Sequence, residues 1–391
     1  MSRRALTVFL LVVPALGLGV LGFCVVAAAP ARAGTAGIGA SAHFATRQLI
    51  GLALAASVGA LAAGLGARRV LRAAPVLFVL ALAATLAVFV PGVGIRAAGA
   101  RRWLHVGPFS GSPAPFLVVA VALLIAKWGP SQNPQASPRQ GLAVGLGLCA
   151  VLALVMEPDF SAAAIALAVA FAALAGGGMA RRRLLPAALL LLVVLSLGAL
   201  SFGYVDNRIR GFLAPENDRR GKGFEVLALA RANAAGAAHG VGLGRGNARR
   251  HLSSPASDYA FAVVGEELGP PGAMGVVAAW LAIAAGVTLA AGSGKRSGQT
   301  SGDTSGRPGR NLAERAAVVG CGTALLAPAA LHVAVCRGWL PIIGVTMPLL
   351  SYDPTLTVAS GGSLGLLVAI ALHRNGDGPS RGHGHQPDDQ A

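Results

Sequence analysis

Apolar residues in this chain run in long continuous blocks, not in the stripes of an amphipathic helix. A helix needs about 20 apolar residues to cross a bilayer. Ten blocks approach this length, and polar residues separate each block from the next. The pattern predicts an all-α, polytopic membrane protein with about ten transmembrane helices. The predicted spans are residues 5–29, 48–66, 73–91, 114–128, 141–156, 161–177, 184–204, 273–292, 316–336 and 358–373.

The first block also has features of a secretory signal. It follows Arg3 and Arg4, and Ala31-Arg32-Ala33 resembles a cleavage site. Its apolar stretch is much longer than the roughly 7–15 residues of a signal sequence. We therefore interpret it as an uncleaved first span, with a cleaved signal as the alternative.

The chain is strongly basic, with a formal net charge of +17, yet only 12% of its residues are charged and 54% are hydrophobic. Its Lys and Arg residues lie between apolar blocks, where anionic lipid head groups and membrane orientation explain them. No RNA-binding aromatic pattern or zinc-finger spacing is present, so nucleic-acid binding is not expected. The basic residues of the short connections lie mostly on the side of the N-terminus. This bias predicts that both termini are cytoplasmic.

The segments between the blocks suggest one transmembrane domain, residues 1–374. A long outer loop, residues 205–272 between spans 7 and 8, has mixed charge and glycine clusters and is expected to be structured. Residues 293–315 are rich in Ser, Gly and basic residues and predict a flexible cytoplasmic linker. Residues 375–391 have the same character and predict a disordered cytoplasmic tail.

Three carboxylates stand close together where the outer loop meets the next span. They are Asp258, Glu266 and Glu267. An acidic residue beside a membrane span is costly to keep there, so Asp258 is a candidate functional residue. If the chain from Tyr259 onward is helical, Glu266 lies about two turns along the same face.

Four sequence blocks occur in a characteristic order. They are Val90–Gly94 with Gly99–Leu104, Glu157–Ser161, Phe212–Gly269 and Gly338–Tyr352. Together with the long outer loop after the seventh span, these blocks resemble the SEDS family (shape, elongation, division and sporulation), the FtsW/RodA/SpoVE membrane proteins.

The resemblance implies a peptidoglycan glycosyltransferase of the bacterial inner membrane. Such a protein polymerises lipid II, a disaccharide-pentapeptide on undecaprenyl pyrophosphate, on the outer face of the membrane. It works with a class B penicillin-binding protein, which crosslinks the product. The essential acidic residue of the family corresponds to Asp258 here.

Glycosyl transfer from a pyrophosphate requires a deprotonated acceptor hydroxyl and a stabilised anionic leaving group. A partly buried carboxylate such as Asp258 suits a general base. It also suits a ligand for a hard divalent cation, Mg²⁺ or Mn²⁺, that bridges phosphate oxygens. The sequence leaves both roles open, and a single carboxylate favours one displacement with inversion at the sugar.

Further residues are candidates for substrate binding. Three arginines close to Asp258 in sequence are expected to offset pyrophosphate charge. Four other candidates also have structural interpretations: an interfacial anchor for Arg102, a helix N-cap for Asp159, a salt bridge for Glu266 and packing for Tyr352. The three arginines are Arg245, Arg249 and Arg250.

The chain departs from the family at several positions. Val118 stands where the family has Lys, and Tyr352-Asp353-Pro354-Thr355 replaces Tyr-Gly-Gly-Ser. Two alternative functions therefore stay open. One is a flippase for lipid-linked precursors, and the other is a non-catalytic scaffold for a penicillin-binding protein.

Overall fold

The computed structural model describes residues 1–28, 38–97, 100–106, 109–130, 138–179, 204–218, 221–292 and 308–373. These residues form a mostly helical bundle with one small sheet. The helices are α1 (Arg3–Ala27), α2 (Ile38–Ala87), α3 (Ala114–Trp128), α4 (Pro138–Met156), α5 (Phe160–Gly176), α6 (Tyr204–Leu213), α7 (Lys222–Ala235), α8 (Ala248–His251), α9 (Ala260–Gly292), α10 (Pro308–Cys336) and α11 (Pro354–His373).

Six described helices are long and apolar enough to cross a membrane, namely α1, α2, α4, α9, α10 and α11. Apolar helices α3 and α5 are shorter, with 15 and 17 residues. Most of α3 is buried against α2, α5 and α10, so protein rather than lipid surrounds it. A multi-pass membrane fold follows. The predicted span 184–204 falls almost entirely outside the described residues.

Two of the long helices contain an abrupt change of direction at a glycine. In α2 this residue is Gly66, with φ of 75°, and in α9 it is Gly269, with φ of 66°. A positive φ is costly for residues with a Cβ atom, which explains why glycine occupies both points. Helix α2 therefore contains the predicted span 48–66 and residues 73–87 of the next predicted span, with a kink at Gly66 and no loop between them.

A three-stranded antiparallel sheet, which the sequence interpretation did not include, precedes α3. Its strands are β1 (Gly94–Ala97), β2 (Ala100–Val106) and β3 (Phe109–Gly111), in the order β1-β2-β3. Along β2, exposed Arg101 and Trp103 alternate with half-buried Arg102 and Leu104, as the two faces of a strand require. A prediction from long apolar blocks misses these strands because they are short.

The predicted outer loop, residues 205–272, is largely helical. It contains most of α6, a 3₁₀ turn at Pro215–Asn217, α7, α8 and the first turns of α9. The predicted linker 293–315 is wrong at its end, because α10 already begins at Pro308. Proline fits the first turn of a helix, where its missing N–H is not needed. Residues 293–307 and the predicted tail 375–391 lie outside the described residues.

Helices α2 and α11 pack through glycine backbone. A Cβ atom on Gly361 would lie 2.2 Å from the carbonyl oxygen of Ala55, and one on Gly365 would lie 2.0 Å from that of Gly59. Gly361 and Gly365 are four residues apart, which is the spacing that lets two membrane helices approach closely. This contact fixes the middle of α11 beside α2.

We predict that Gly365→Ala destabilises the protein by about 1–3 kcal/mol, because the added methyl group must push α2 and α11 apart. Thermal unfolding of the purified protein in detergent, followed by tryptophan fluorescence, measures the loss. Gly275→Ala on α9 is the matched control, since a Cβ atom there meets nothing within 4 Å. Equal melting temperatures for the two variants would contradict the close helix contact.

Candidate active site

A cavity of about 720 Å³ lies where β2, the N-terminus of α5, helices α6 and α7 and the segments before α9 and α11 converge. We call it the Asp258 cavity. Its walls combine apolar side chains from α3, α5 and α10 with polar side chains from the connecting segments. The charged lining residues are Arg102, Asp159, Arg208, Lys222, Glu225, Asp258 and Asp353.

Asp258 is held by backbone contacts on both sides. Its own N–H donates to the carbonyl oxygen of Ser254 at 3.0 Å. The neighbouring Ser257 carbonyl accepts from the Ser351 hydroxyl at 2.7 Å, and the Ala256 carbonyl accepts from the Tyr352 N–H at 2.8 Å. The segment that carries Asp258 is therefore attached to the loop that precedes α11.

The Asp258 carboxyl group differs in its hydrogen bonding from the other three carboxyl groups that line the cavity. Within the described residues it has no hydrogen-bond partner, whereas Asp159, Glu225 and Asp353 each accept at least two hydrogen bonds. Burial raises the pKa of Asp258 to about 6, and the nearby charge of Asp353 contributes in the same direction. Asp258 is thus both unengaged and a better proton acceptor than an ordinary aspartate.

Asp353 caps the N-terminus of α11. One carboxylate oxygen accepts from the N–H of Leu356 at 3.0 Å and from the hydroxyl of Thr355 at 2.8 Å. The other oxygen accepts from the hydroxyl of Thr346 at 3.0 Å. Asp353 also lines the Asp258 cavity.

Glu225 links α7 to the segment that carries Asp258. It accepts hydrogen bonds from Lys222 at 2.7 Å, Ser253 at 2.6 Å and the Tyr259 hydroxyl at 2.8 Å. Burial acts to raise the pKa of Glu225, but these three hydrogen bonds outweigh it and lower the pKa. An ionised Glu225 therefore anchors residues on both sides of Asp258.

Three cationic side chains line the cavity. Arg102 on β2 donates to the carbonyl oxygen of Pro158 and lies 4.0 Å from the carboxylate of Asp159. Arg208 on α6 donates to the carbonyl oxygen of Ile342, and Lys222 on α7 pairs with Glu225. These cations provide fixed positive charge for an anionic ligand.

Glu157 is fully buried beside Arg102 and Asp159. Neither of its carboxyl oxygens has a hydrogen-bond partner within the described residues. Burial raises its pKa to about 8, the charge of Asp159 adds to this, and Arg102 partly opposes it. Glu157 is therefore mostly neutral at pH 7 and leaves Arg102 and Asp159 as the local charge pair.

Three sequence-predicted binding residues line the Asp258 cavity, namely Arg102, Asp159 and Tyr352. Asp159 is also the N-cap of α5, accepting from the N–H of Ala162 at 3.1 Å, so the two interpretations of this residue coexist. The sequence interpretation did not include three further charged residues that line the cavity, Arg208, Lys222 and Glu225. In the sequence they are three of many charged residues in the outer loop, and nothing else distinguishes them.

Four other predicted residues do not line the cavity. Arg249 is buried in an ion pair with Glu267, and it also donates to the carbonyl oxygen of Val25 at 2.9 Å. Glu266 accepts from the N–H groups of Asn247 and Ala248, each at 2.8 Å, and so caps α8. The remaining two, Arg245 and Arg250, are exposed outside the cavity.

The sequence neighbours of Asp258 that were expected to bind substrate therefore lie outside the Asp258 cavity. Glu266 and Glu267 hold the glycine-rich segment 240–247 against the start of α9, and Glu267 also accepts from the N–H of Gly244 at 3.0 Å. Neither carboxylate lines the Asp258 cavity, and both are engaged by the segment that precedes α9. Their role is to fix the loop.

The donor groups of the cavity meet part of what a divalent cation requires. The described residues contain no group of three or more His, Cys, Asp or Glu side chains that could hold a metal ion. Mg²⁺ is usually held by one or two carboxylates together with substrate phosphates. Asp258 and Asp353 satisfy this smaller requirement, so the residues fit a cation that binds with a phosphorylated ligand.

Comparisons with known proteins show what the whole chain is similar to. The family model of the FtsW/RodA/SpoVE cell cycle proteins matches residues 7–376. A relative from Aromatoleum aromaticum, named probable peptidoglycan glycosyltransferase FtsW, is 29% identical over 335 residues, covering 84% of this chain and 78% of the relative.

Two solved structures share the fold. One, described as showing structural coordination of polymerization and crosslinking by a peptidoglycan synthase complex, has a TM-score of 0.70 at 23% identity. The other is the rod shape determining protein RodA of Thermus thermophilus, with a TM-score of 0.66 at 22% identity. Each match covers 94% of this chain and 98% of the solved chain.

We predict that Arg249→Met destabilises the protein by about 3–5 kcal/mol, because it leaves the buried Glu267 carboxylate without its cation. Thermal unfolding in detergent measures the loss. Arg245→Met, which removes an exposed arginine from the same segment, is expected to change stability by less than about 0.5 kcal/mol. Equal stability of the two variants would show that the buried pair does not hold the loop.

Proposed function

This chain belongs to the FtsW/RodA/SpoVE family of cell cycle proteins, and we propose that it is a peptidoglycan glycosyltransferase that polymerises lipid II during bacterial cell-wall synthesis. Its relatives named FtsW support the activity. The observation that carries the proposal is the Asp258 carboxyl group, which faces a large cavity without a hydrogen-bond partner among the described residues.

The reaction joins an acceptor hydroxyl to the anomeric carbon of a second sugar as the bond to pyrophosphate breaks. The acceptor loses a proton, and the pyrophosphate takes up the electron pair. Asp258 suits this proton transfer because its pKa of about 6 leaves it ionised at neutral pH but more basic than a solvated aspartate. One carboxylate acting opposite the leaving group implies inversion at the sugar.

Stabilisation of the leaving pyrophosphate falls to the cations that line the cavity. Arg102, Arg208 and Lys222 are each already anchored to a neighbouring oxygen, so little reorganisation is needed when an anion binds. Fixed cations in a water-poor site stabilise developing negative charge more than mobile ones do. These three residues replace Arg245, Arg249 and Arg250 as the proposed pyrophosphate ligands.

A divalent cation, Mg²⁺ or Mn²⁺, would supply further neutralisation of the phosphate oxygens. Asp258 and Asp353 would hold it, together with the substrate. Asp258 as a metal ligand and Asp258 as a general base are the two roles that the site allows. In either role the carboxylate form is the active one.

The lipid part of the substrate has an apolar surface to follow. Val118 and Val119 on α3, Ile165 on α5 and Leu325 on α10 line the cavity beside its charged end. Val118 stands where the family has Lys, so this wall is more apolar here. An undecaprenyl chain would leave the charged end along this wall and continue into the bilayer.

We propose the bacterial inner membrane as the location, with ten spans, cytoplasmic termini and the Asp258 cavity on the outer face. The excess of Lys and Arg in the connections on the other side supports this orientation. A class B penicillin-binding protein is the proposed partner. The structural similarity to a peptidoglycan synthase complex that coordinates polymerization and crosslinking is consistent with such an assembly.

We predict that Asp258→Asn abolishes glycan-strand formation, because the amide neither accepts the proton nor binds a cation well. Purified protein is incubated with labelled lipid II, with and without Mg²⁺ or Mn²⁺ and the cognate transpeptidase, and the products are separated on a gel. Polymer at the parental rate would exclude the proposed role of Asp258.

The matched control is Asp218→Asn, which alters another aspartate of the same loop outside the cavity. It is expected to polymerise at close to the parental rate. Translocation of lipid II across proteoliposomes by both variants, with no polymer even from the parent, would instead indicate a flippase. Rescue of a depleted strain by Asp258→Asn would indicate a scaffold.

We predict that polymerisation falls as the pH drops through about 6, since Asp258 is then protonated. Asp353→Asn should move this fall to lower pH, because Asp353 is a charge that raises the pKa of Asp258. Asparagine also caps helices well, so α11 should keep its N-cap. Initial rates between pH 5 and 9 measure the effect, and an unchanged acid limb would show that the two carboxyl groups do not interact.

A further inference from the structure

A second charged cavity lies at the other end of the bundle. It has a volume of about 160 Å³ and is lined by Arg68, Leu71 and Arg72 of α2, Lys127 of α3, and Ala313 and Glu314 of α10. We call it the Arg68 cavity. Its lining carries three cationic groups and one carboxylate, so the formal charge is positive.

Two helices connect the Arg68 cavity with the Asp258 cavity and establish that they are distinct. On α3, Val118 lines the Asp258 cavity and Lys127 lines the Arg68 cavity, about 14 Å apart at 1.5 Å per residue. On α10, Leu325 lines the Asp258 cavity and Glu314 lines the Arg68 cavity, about 16 Å apart along the helix. The helices run in opposite directions between the cavities, so the cavities lie at opposite ends.

The cations of the Arg68 cavity are available to a ligand. Arg68 and Arg72 are exposed, and among the described residues neither side chain has a hydrogen-bond or ion-pair partner. Lys127 donates one hydrogen bond, to the carbonyl oxygen of Arg72 at 2.8 Å. An ammonium group has three donors, so two remain. The bond also fixes the C-terminal end of α3 beside α2.

The surroundings favour an amphiphilic ligand over a soluble one. Leu65, Val76, Leu77 and Leu80 are exposed apolar side chains of α2 on either side of its arginines. A lipid could place its head group among the cations and its acyl chains along this apolar surface. Basic pockets between membrane helices bind anionic head groups in this way.

The size of the cavity limits the ligand. Its volume of about 160 Å³ admits a phosphate-sized group but not a whole phospholipid. We propose that the Arg68 cavity binds the phosphate of an anionic phospholipid head group. The lipid joins α2, α3 and α10 at the end of the bundle opposite Asp258.

The test uses the full-length protein in zwitterionic detergent micelles. Native mass spectrometry measures binding of dioleoylphosphatidylglycerol and, separately, of dioleoylphosphatidylcholine. We expect one tightly bound phosphatidylglycerol and no comparable phosphatidylcholine. The variant R68Q/R72Q should weaken phosphatidylglycerol binding by about 25-fold, roughly fivefold for each charge removed. Lys127→Gln, a second variant, should weaken it by roughly fivefold.

Arg69→Gln is the matched control. Arg69 is an exposed neighbour on the same helical turn that does not line the cavity, so its loss should leave affinity unchanged. Thermal unfolding of each variant in the same detergent confirms that it is folded. Equal weakening by Arg69→Gln would mean diffuse charge attraction and overturn the site.

Two further outcomes would also overturn the proposal. Unchanged affinity in both R68Q/R72Q and Lys127→Gln would show that the cavity does not hold the head group. Displacement of the lipid by an equal concentration of inorganic phosphate would assign the cavity to a soluble phosphate. None of these results depends on polymerisation of lipid II, so they are separable from a failure of the proposed function.

Discussion

The site depends on one carboxyl group that is desolvated but not bonded. Asp258 lies in a cavity whose other carboxyl groups are each engaged by hydroxyl, backbone or cationic donors. Desolvation without compensation makes a carboxylate more basic, and the nearby Asp353 charge adds to the effect. This combination persists only because the surrounding segments are rigidly attached. A mobile loop would let solvent or a neighbouring cation satisfy the group.

Much of the polar chemistry in the outer loop serves that rigidity. Glu225 fixes Ser253 and Tyr259 on either side of Asp258. Glu266 and Glu267 engage the glycine-rich segment and Arg249. Buried carboxylates are tolerated when they accept hydrogen bonds or pair with a cation, and Glu225, Glu266 and Glu267 all do so. The hydrogen bonds and ion pairs of these three glutamates therefore position the loop. The Asp258 carboxyl group, which has no such partner among the described residues, stays available for chemistry.

Helices α3 and α10 connect two ends of the bundle with different electrostatic character. At the Asp258 end acids and bases are mixed, and the cations are already anchored to oxygens. At the Arg68 end cations exceed acids, and two arginines are unengaged among the described residues. The first arrangement suits a reaction in which charge moves. The second suits a static anion at a membrane surface, consistent with the basic bias of the connections that are predicted to be cytoplasmic.

The sequence by itself determined the membrane-embedded helical class and the family, and it singled out Asp258 as a candidate, because apolar block length and ordered motifs are local properties of the chain. It did not determine which charged residues surround Asp258. Arg249 and Glu266 lie close to it in sequence, yet helix α9 carries Glu266 away and a buried pair withdraws Arg249. Arg208 and Asp353 are distant in sequence, yet the packing of α6, α7 and α11 brings them to the same cavity. Only the tertiary structure decides such neighbours, because the direction of a side chain is set by the helix that carries it and by the partners that it meets.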